Sequence, residues 1–123
     1  MLKVLIVDDY KMTREILNDW LTERFPKIKI EEAANGIEAI KKIESHLPDL
    51  ILMDIRLPGE SGLELTKRIK EKYPAIIVVL LSSYESSMFN HIARQYGAAH
   101  FLSKSDISRD DFLNLVESLL RRK

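Results

Sequence analysis

The chain has no cysteine, which excludes disulfides, thiolate metal ligands and cysteine nucleophiles. It has no excess of either charge. Nineteen basic and nineteen acidic residues cancel, so no global field draws it to nucleic acid or to an anionic membrane. It also lacks a long hydrophobic run: a bilayer span takes about 18 or more apolar residues, and the aliphatic runs here, such as Val4–Val7 and Ile76–Leu81, are far shorter. The start, Met1-Leu2-Lys3-Val4, lacks the basic segment and apolar stretch of a signal peptide. No glycine-rich G-x-G-x-x-G or G-x-x-x-x-G-K-S/T pattern for cradling phosphates appears, and there is no internal repeat or low-complexity tract. A sequence of 123 residues is expected to form one domain, 1–123, soluble and cytoplasmic, burying roughly two-thirds of its unfolded surface.

What the chain does have is five strand-like segments. Four are aliphatic runs that end at residues able to hold phosphate or metal. Val4-Leu5-Ile6-Val7 leads into Asp8-Asp9, and Leu50-Ile51-Leu52-Met53 into Asp54. Ile76–Leu81 leads into Ser82, and Phe101-Leu102-Ser103 into Lys104. Short aliphatic runs without polar alternation read as parallel strands buried on both faces. A fifth strand is expected around Ile28–Ala33.

Between them lie segments with helical spacing: Met12, Ile16 and Trp20, widened by Leu17 and Leu21; Ile40, Ile43 and Leu47; Leu65, Ile69 and Tyr73; Met88, Ile92 and Tyr96; Phe112, Val116, Leu119 and Leu120. Each reads as an amphipathic helix whose apolar stripe covers a sheet. Asn35-Gly36, Pro48, Pro58-Gly59, Pro74 and Gly97 stand at the expected boundaries. The pattern is β-α repeated five times, which predicts right-handed crossovers and helices on both faces of a parallel sheet.

In such a sheet the ligand crevice lies at the carboxyl ends of the strands. Asp8, Asp9, Asp54, Ser82 and Lys104 are therefore expected to meet in one pocket. Like charges about 4 Å apart repel by about 4 kcal/mol at an effective dielectric near 20, so three carboxylates either raise a pKa or hold a hard cation. Mg²⁺ suits them, since it accepts one or two carboxylates, several waters and a phosphate oxygen. The alternative is that Asp8-Asp9 merely cap the first helix. Asp54 is the candidate nucleophile, because a carboxylate can accept a phosphoryl group as an acyl phosphate. Lys104 would supply a compact positive charge, and Ser82 a hydroxyl donor.

The blocks Leu5–Asp9, Ala34-Asn35-Gly36-Ile37-Glu38-Ala39, Pro48–Gly59, Leu81-Ser82-Ser83 and Gly97–Lys104 resemble the response-regulator receiver domains of two-component signalling. The likeness covers the whole chain. It implies a flavodoxin-like, doubly wound α/β fold, a five-stranded parallel sheet of order 2-1-3-4-5 with five helices. It also implies that Asp54 is phosphorylated by a sensor histidine kinase or phosphotransfer protein. Asp9, Asp54 and the backbone carbonyl of Arg56 would ligate Mg²⁺, with Asp8 acting mainly through a water. Lys104 would bind the phosphoryl group, and Ser82 and the switch aromatic Phe101 would move together. The face of the fourth helix, fifth strand and fifth helix would then change shape as a population shift. That face would engage an output domain or a downstream protein. No direct nucleic-acid or membrane contact by this domain is implied.

Two features depart from the common family pattern. Ser105 stands where many receivers have proline, so the cis peptide frequent there is not implied. Arg56 and Tyr84, each two positions beyond a site residue, are bulky groups expected at the rim, where they would hinder attack by water; ordinary surface variation is the competing reading. His46, His91 and His100 lack partners at ligand spacing and read as packing or surface residues. A haloacid-dehalogenase-type phosphatase also uses an aspartate nucleophile with Mg²⁺, but it needs a second aspartate where Arg56 stands. The sequence thus reads as a switch that phosphorylates its own Asp54 and is not a turnover enzyme. A receiver-shaped module that is never phosphorylated is disfavoured by five chemically competent positions. Whether an output domain follows Lys123 stays open, with the Ser82-Ser83 and Lys104-Ser105 pairs resembling receivers attached to helix-turn-helix domains.

Overall fold

A computed structural model describes residues 2–83, 87–105 and 107–121, with backbone alone for 87–90. Five parallel strands form the sheet: β1 (Lys3–Val7), β2 (Lys29–Ala33), β3 (Leu50–Asp54), β4 (Ile77–Ser82) and β5 (His100–Ser103). Their order is β2-β1-β3-β4-β5, as the sequence pattern implied. The helices are α1 (Lys11–Arg24), α2 (Gly36–His46), α3 (Gly62–Lys72), α4 (Ser87–Gln95) and α5 (Arg109–Arg121). A small antiparallel ladder, Arg56–Leu57 with Glu60–Ser61, joins β3 to α3. Its tip is the Pro58-Gly59 turn, where Gly59 takes φ +79°, the conformation a glycine provides at no steric cost.

The strand residues alternate between two cores. Leu5, Val7, Ile51, Met53, Val78 and Leu80 pack with the buried stripes of α2 and α3 and with Ala93 of α4. Val4, Ile6, Leu50, Leu52, Val79 and Leu81 pack with Leu17 and Leu21 of α1 and with Phe112, Leu113 and Val116 of α5. Residues at period two share a face. Both faces being covered is why β1, β3 and β4 are apolar through their middles, with polar residues only at their ends. β2 and β5 are the sheet edges. β2 carries Glu31 and Glu32 half-buried, which explains its weaker signature in the sequence. Among the described residues no helix is long and apolar enough to cross a membrane.

Local chemistry sets the helix ends. Asn35 Oδ1 accepts from the N–H of Glu38 at 2.9 Å, while Glu38 Oε1 accepts from Ala34 N–H at 2.7 Å, a reciprocal cap. Ser61 caps α3 by accepting from Leu63 N–H, and Gly97 closes α4 at φ +98°.

Two apolar stripes differ from the sequence expectation. Met12 and Ile16 are 73% and 43% exposed, while Leu17 and Leu21 are buried. The first turn of α1 lies beside the crevice rather than over the sheet, so the inward stripe starts later and runs through Leu17, Trp20 and Leu21. Trp20 meets Phe112 of α5 with ring centroids 5.8 Å apart. Leu47 is not part of the α2 stripe: it is the C-cap, left-handed at φ 34°, and 56% exposed.

Candidate functional site

The residues that matter lie where the chain leaves the sheet. Asp8 follows β1 and is fully buried. Its N–H donates to the carbonyl of Ala33 at 3.0 Å, its carbonyl accepts from Nη1 of Arg14 at 2.7 Å, and its Oδ1 accepts from Tyr10 N–H at 2.9 Å. Asp54 is the last residue of β3 and is 4% exposed. Its Oδ1 accepts from Arg56 N–H at 3.3 Å, and the next residue, Ile55, donates to Leu81 O on β4 at 3.0 Å. Asp8 and Asp54 continue the even-numbered register of Ile6 and Leu52, so both start from the same face of the sheet.

Lys104 follows β5 and is tied to β4 through its N–H, which donates to the carbonyl of Ser82 at 2.7 Å. Its Nζ lies 2.6 Å from Asp8 Oδ2 and 3.2 Å from Asp54 Oδ2. It also stands 5.7 Å from the centroid of the Tyr10 ring, within range of a cation–π attraction. Asp9 is exposed. Carboxylate oxygens of Asp8, Asp9 and Asp54 all lie within 4.8 Å of one another.

Burial, followed by the charge of Asp8, pushes the Asp54 pKa above its ordinary value, and the opposing pull of Lys104 does not cancel this. For Lys104, burial works against the charge. The hydrogen bond to Asp8 and the carboxylate charges outweigh it, and its pKa is raised. The site therefore holds its ammonium firmly and the Asp54 carboxylate under electrostatic stress.

These observations discount the helix-cap reading of Asp8-Asp9. The N-cap of α1 is Tyr10, which makes no side-chain cap bond, and the Asp8 carboxylate is turned to Lys104 and Tyr10 instead. An all-oxygen donor set, drawn from two strand ends and partly buried, fits a hard divalent cation.

Ser82 ends β4, paired in register with Ser103 and 3% exposed. Its neighbour Ser83 is the serine that lines a cleft of about 370 Å³ together with Asp9, Tyr10, Asp54, Arg56 and Lys104. Phe101 is 6% exposed and belongs to the core that includes Val78, Leu80, Ala93 and Ala98. Arg56 reaches the cleft wall, whereas Tyr84 lies outside the described residues. The three histidines stand away from the acidic cluster: His46 pairs with Glu31 and His91 meets Gln95. His100 on β5 has its pKa lowered by burial and by Arg94.

Sequence reasoning missed three contributors. Tyr10 walls the cleft, and its one signal was that it follows the aspartate pair. Arg14 holds the Asp8 carbonyl. Gly62 starts α3 against the back of Asp54: a Cβ there would stand 2.9 Å from both Asp54 C and Ile55 Cα and closer still to the Asp54 carbonyl oxygen. Its N–H donates to Ile55 O at 2.7 Å. Only glycine permits that approach.

A family model for the response regulator receiver domain matches residues 4–117. The chain belongs to this family. This receiver is 37% identical over 102 residues to a transcriptional activator protein of Pseudomonas putida, ExaE, with 83% of the chain and 48% of the relative covered. It is 40% identical over 121 residues to a protein-glutamate methylesterase/protein-glutamine glutaminase of Hahella chejuensis, covering 96% of the chain and 34% of that protein. The receiver thus spans half or less of the length of these curated relatives. A crystal structure of a CheY-like receiver domain protein from Methanospirillum hungatei superimposes with a TM-score of 0.88 at 26% identity, covering 99% of this chain and 95% of the other.

Proposed function

We infer that this receiver is a phosphoryl-accepting switch in which Asp54 takes the group, with Mg²⁺ as the metal, from a sensor histidine kinase or phosphotransfer protein. One observation carries the reading: three carboxylates with oxygens within 4.8 Å of one another share the strand ends with an ammonium 2.6 Å and 3.2 Å from two of them. The expected cytoplasmic location goes with such a donor.

In the transfer, a carboxylate oxygen of Asp54 forms the new P–O bond while the P–N bond of the donor phosphohistidine breaks. The bonding pair returns to the imidazole nitrogen. Charge spreads over the equatorial phosphoryl oxygens in the transition state, so positioning and electrostatics do the catalysis. When bound, Mg²⁺ supplies positive charge to those oxygens. Asp8, Asp9, Asp54 and the Arg56 carbonyl are the groups to hold it, Asp8 mainly through a water. Lys104 Nζ transfers one of its contacts from a carboxylate to a phosphoryl oxygen, and Ser82 donates its hydroxyl to another. Phe101 follows Ser82 inward, and the α4-β5-α5 face changes its packing. An output domain or separate protein reads that face. The Pseudomonas and Hahella relatives are a transcriptional activator and a methylesterase by name, which supports outputs of more than one kind for receivers of this type.

The chain itself is proposed not to turn over substrate. Arg56 occupies the position where a phosphatase of the haloacid-dehalogenase type needs a second aspartate as acid and base. The chain's product stays attached, and Arg56 at the rim would slow loss of the group to water.

Incubation with a small phosphodonor and Mg²⁺ should add one phosphoryl group, read by intact mass. Asp54→Asn or a chelator should abolish the label. A label that survives Asp54→Asn would sink the assignment.

A further inference from the structure

The guanidinium of Arg14 joins three parts of the fold beside the acidic cluster. Its Nη1 donates to the carbonyl of Asp8 at 2.7 Å and its Nε to Oε1 of Glu32, on β2, at 2.9 Å. The other oxygen of Glu32 accepts from Nδ2 of Asn18, one turn further along α1, at 3.1 Å. The Arg14 side chain is only 16% exposed, so these bonds are partly shielded from water. Since Asp8 N–H is bonded to Ala33 O, both backbone groups of Asp8 are tied to β2, one directly and one through Arg14 and Glu32. α1 has no side-chain N-cap, and these bonds define its start instead.

We propose that Arg14 is a positioning residue that sets the affinity of the acidic cluster for a divalent cation, by locking the Asp8-Asp9-Tyr10 turn to β2 through Glu32. This rests on the phosphoacceptor reading above and adds to it. A planar guanidinium reaches a carboxylate and a carbonyl at once, which an ammonium cannot do with the same geometry. Mg²⁺ demands near-ideal octahedral geometry, so small displacements of Asp9 relative to Asp8 and Asp54 weaken binding. Groups that orient metal ligands from behind are worth roughly 10–100-fold in affinity.

The test is a Mg²⁺ titration of the full chain, followed by the rise in thermal midpoint that binding to the folded state produces. The Mg²⁺ dependence of labelling by a small phosphodonor is measured alongside. Arg14→Ala and Glu32→Ala should each raise the apparent Mg²⁺ dissociation constant about 10-fold, and Arg14→Lys should fall between them and the parent. The labelling defect should disappear at saturating Mg²⁺. The double variant should be no weaker than either single one, because both remove the same link. Parent-like Mg²⁺ affinity in a folded Glu32→Ala or a folded Arg14→Ala overturns the proposal and leaves the phosphoacceptor reading intact. A labelling defect that persists at saturating Mg²⁺ also overturns it. Failure of the parent chain to bind Mg²⁺ removes both.

Discussion

Two clusters in this receiver join carboxylates to cations, and they differ in depth. At the carboxyl end of the sheet, Asp8, Asp54 and Lys104 have side chains 0%, 6% and 16% exposed. On the β2 edge, Glu31 pairs with Lys42 at 3.2 Å and lies 3.1 Å from the imidazole of His46, and these side chains are 19%, 44% and 43% exposed. The distances overlap; the solvation does not. Water and salt screen the edge cluster, where pairs of this kind contribute about 0–1 kcal/mol. In the crevice each charge has given up most of its hydration, so every partner counts and removing one is expensive. Proximity of opposite charges is common to both, and desolvation is what separates a reactive site from a decorated edge.

The comparison breaks most easily at Lys104. Lys104→Ala leaves Asp8 buried with its ammonium gone. It should cost about 3 kcal/mol in the absence of divalent ions, measured by denaturant unfolding, with part of the loss recovered in Mg²⁺. A loss below about 1 kcal/mol would place the crevice with the surface pairs.

Asp54→Asn should act in the opposite direction. Burial and then Asp8 raise the Asp54 pKa above its ordinary 3.8, so the folded chain holds that proton more tightly than the unfolded chain. Between 3.8 and the folded value the native state carries more protons, and stability falls as pH rises through that window. At neutral pH the ionised group is therefore a cost. Metal-free Asp54→Asn should melt a few degrees higher than the parent there, with the gap closing below pH 3.8. A variant that melts lower at neutral pH would show that the attraction to Lys104 dominates.

The smallest effect belongs to the edge. Lys42→Ala should change stability by less than about 1 kcal/mol, and added salt should erase the difference. A larger, salt-resistant loss would mean that the exposed cluster is structural after all.

The central strands were legible because β1, β3 and β4 are buried on both faces and carry apolar side chains everywhere but at their ends. β2 was fainter because an edge tolerates Glu31 and Glu32. Met12 and Ile16 misled, since spacing reports that a helix has an apolar stripe without reporting where the sheet ends. The candidate site was legible where its residues sit at strand ends, as Asp8, Asp54 and Lys104 do. Arg14 was invisible because an arginine in an amphipathic helix looks like a solvated face. Nothing in sequence spacing says that its fork closes on a backbone carbonyl. Gly62 was equally silent, because its role is a missing atom.

That missing atom has a mechanical consequence. With α3 pressed against the main chain of Asp54, and Gly62 N–H bonded to Ile55 O at 2.7 Å, this carboxylate sits on a braced mount. On the phosphoacceptor reading proposed above, its backbone would have no room to retreat when a phosphoryl group is attached. On that reading the displacement would fall to the groups facing Asp54 across the crevice, the Lys104 ammonium 3.2 Å away first among them.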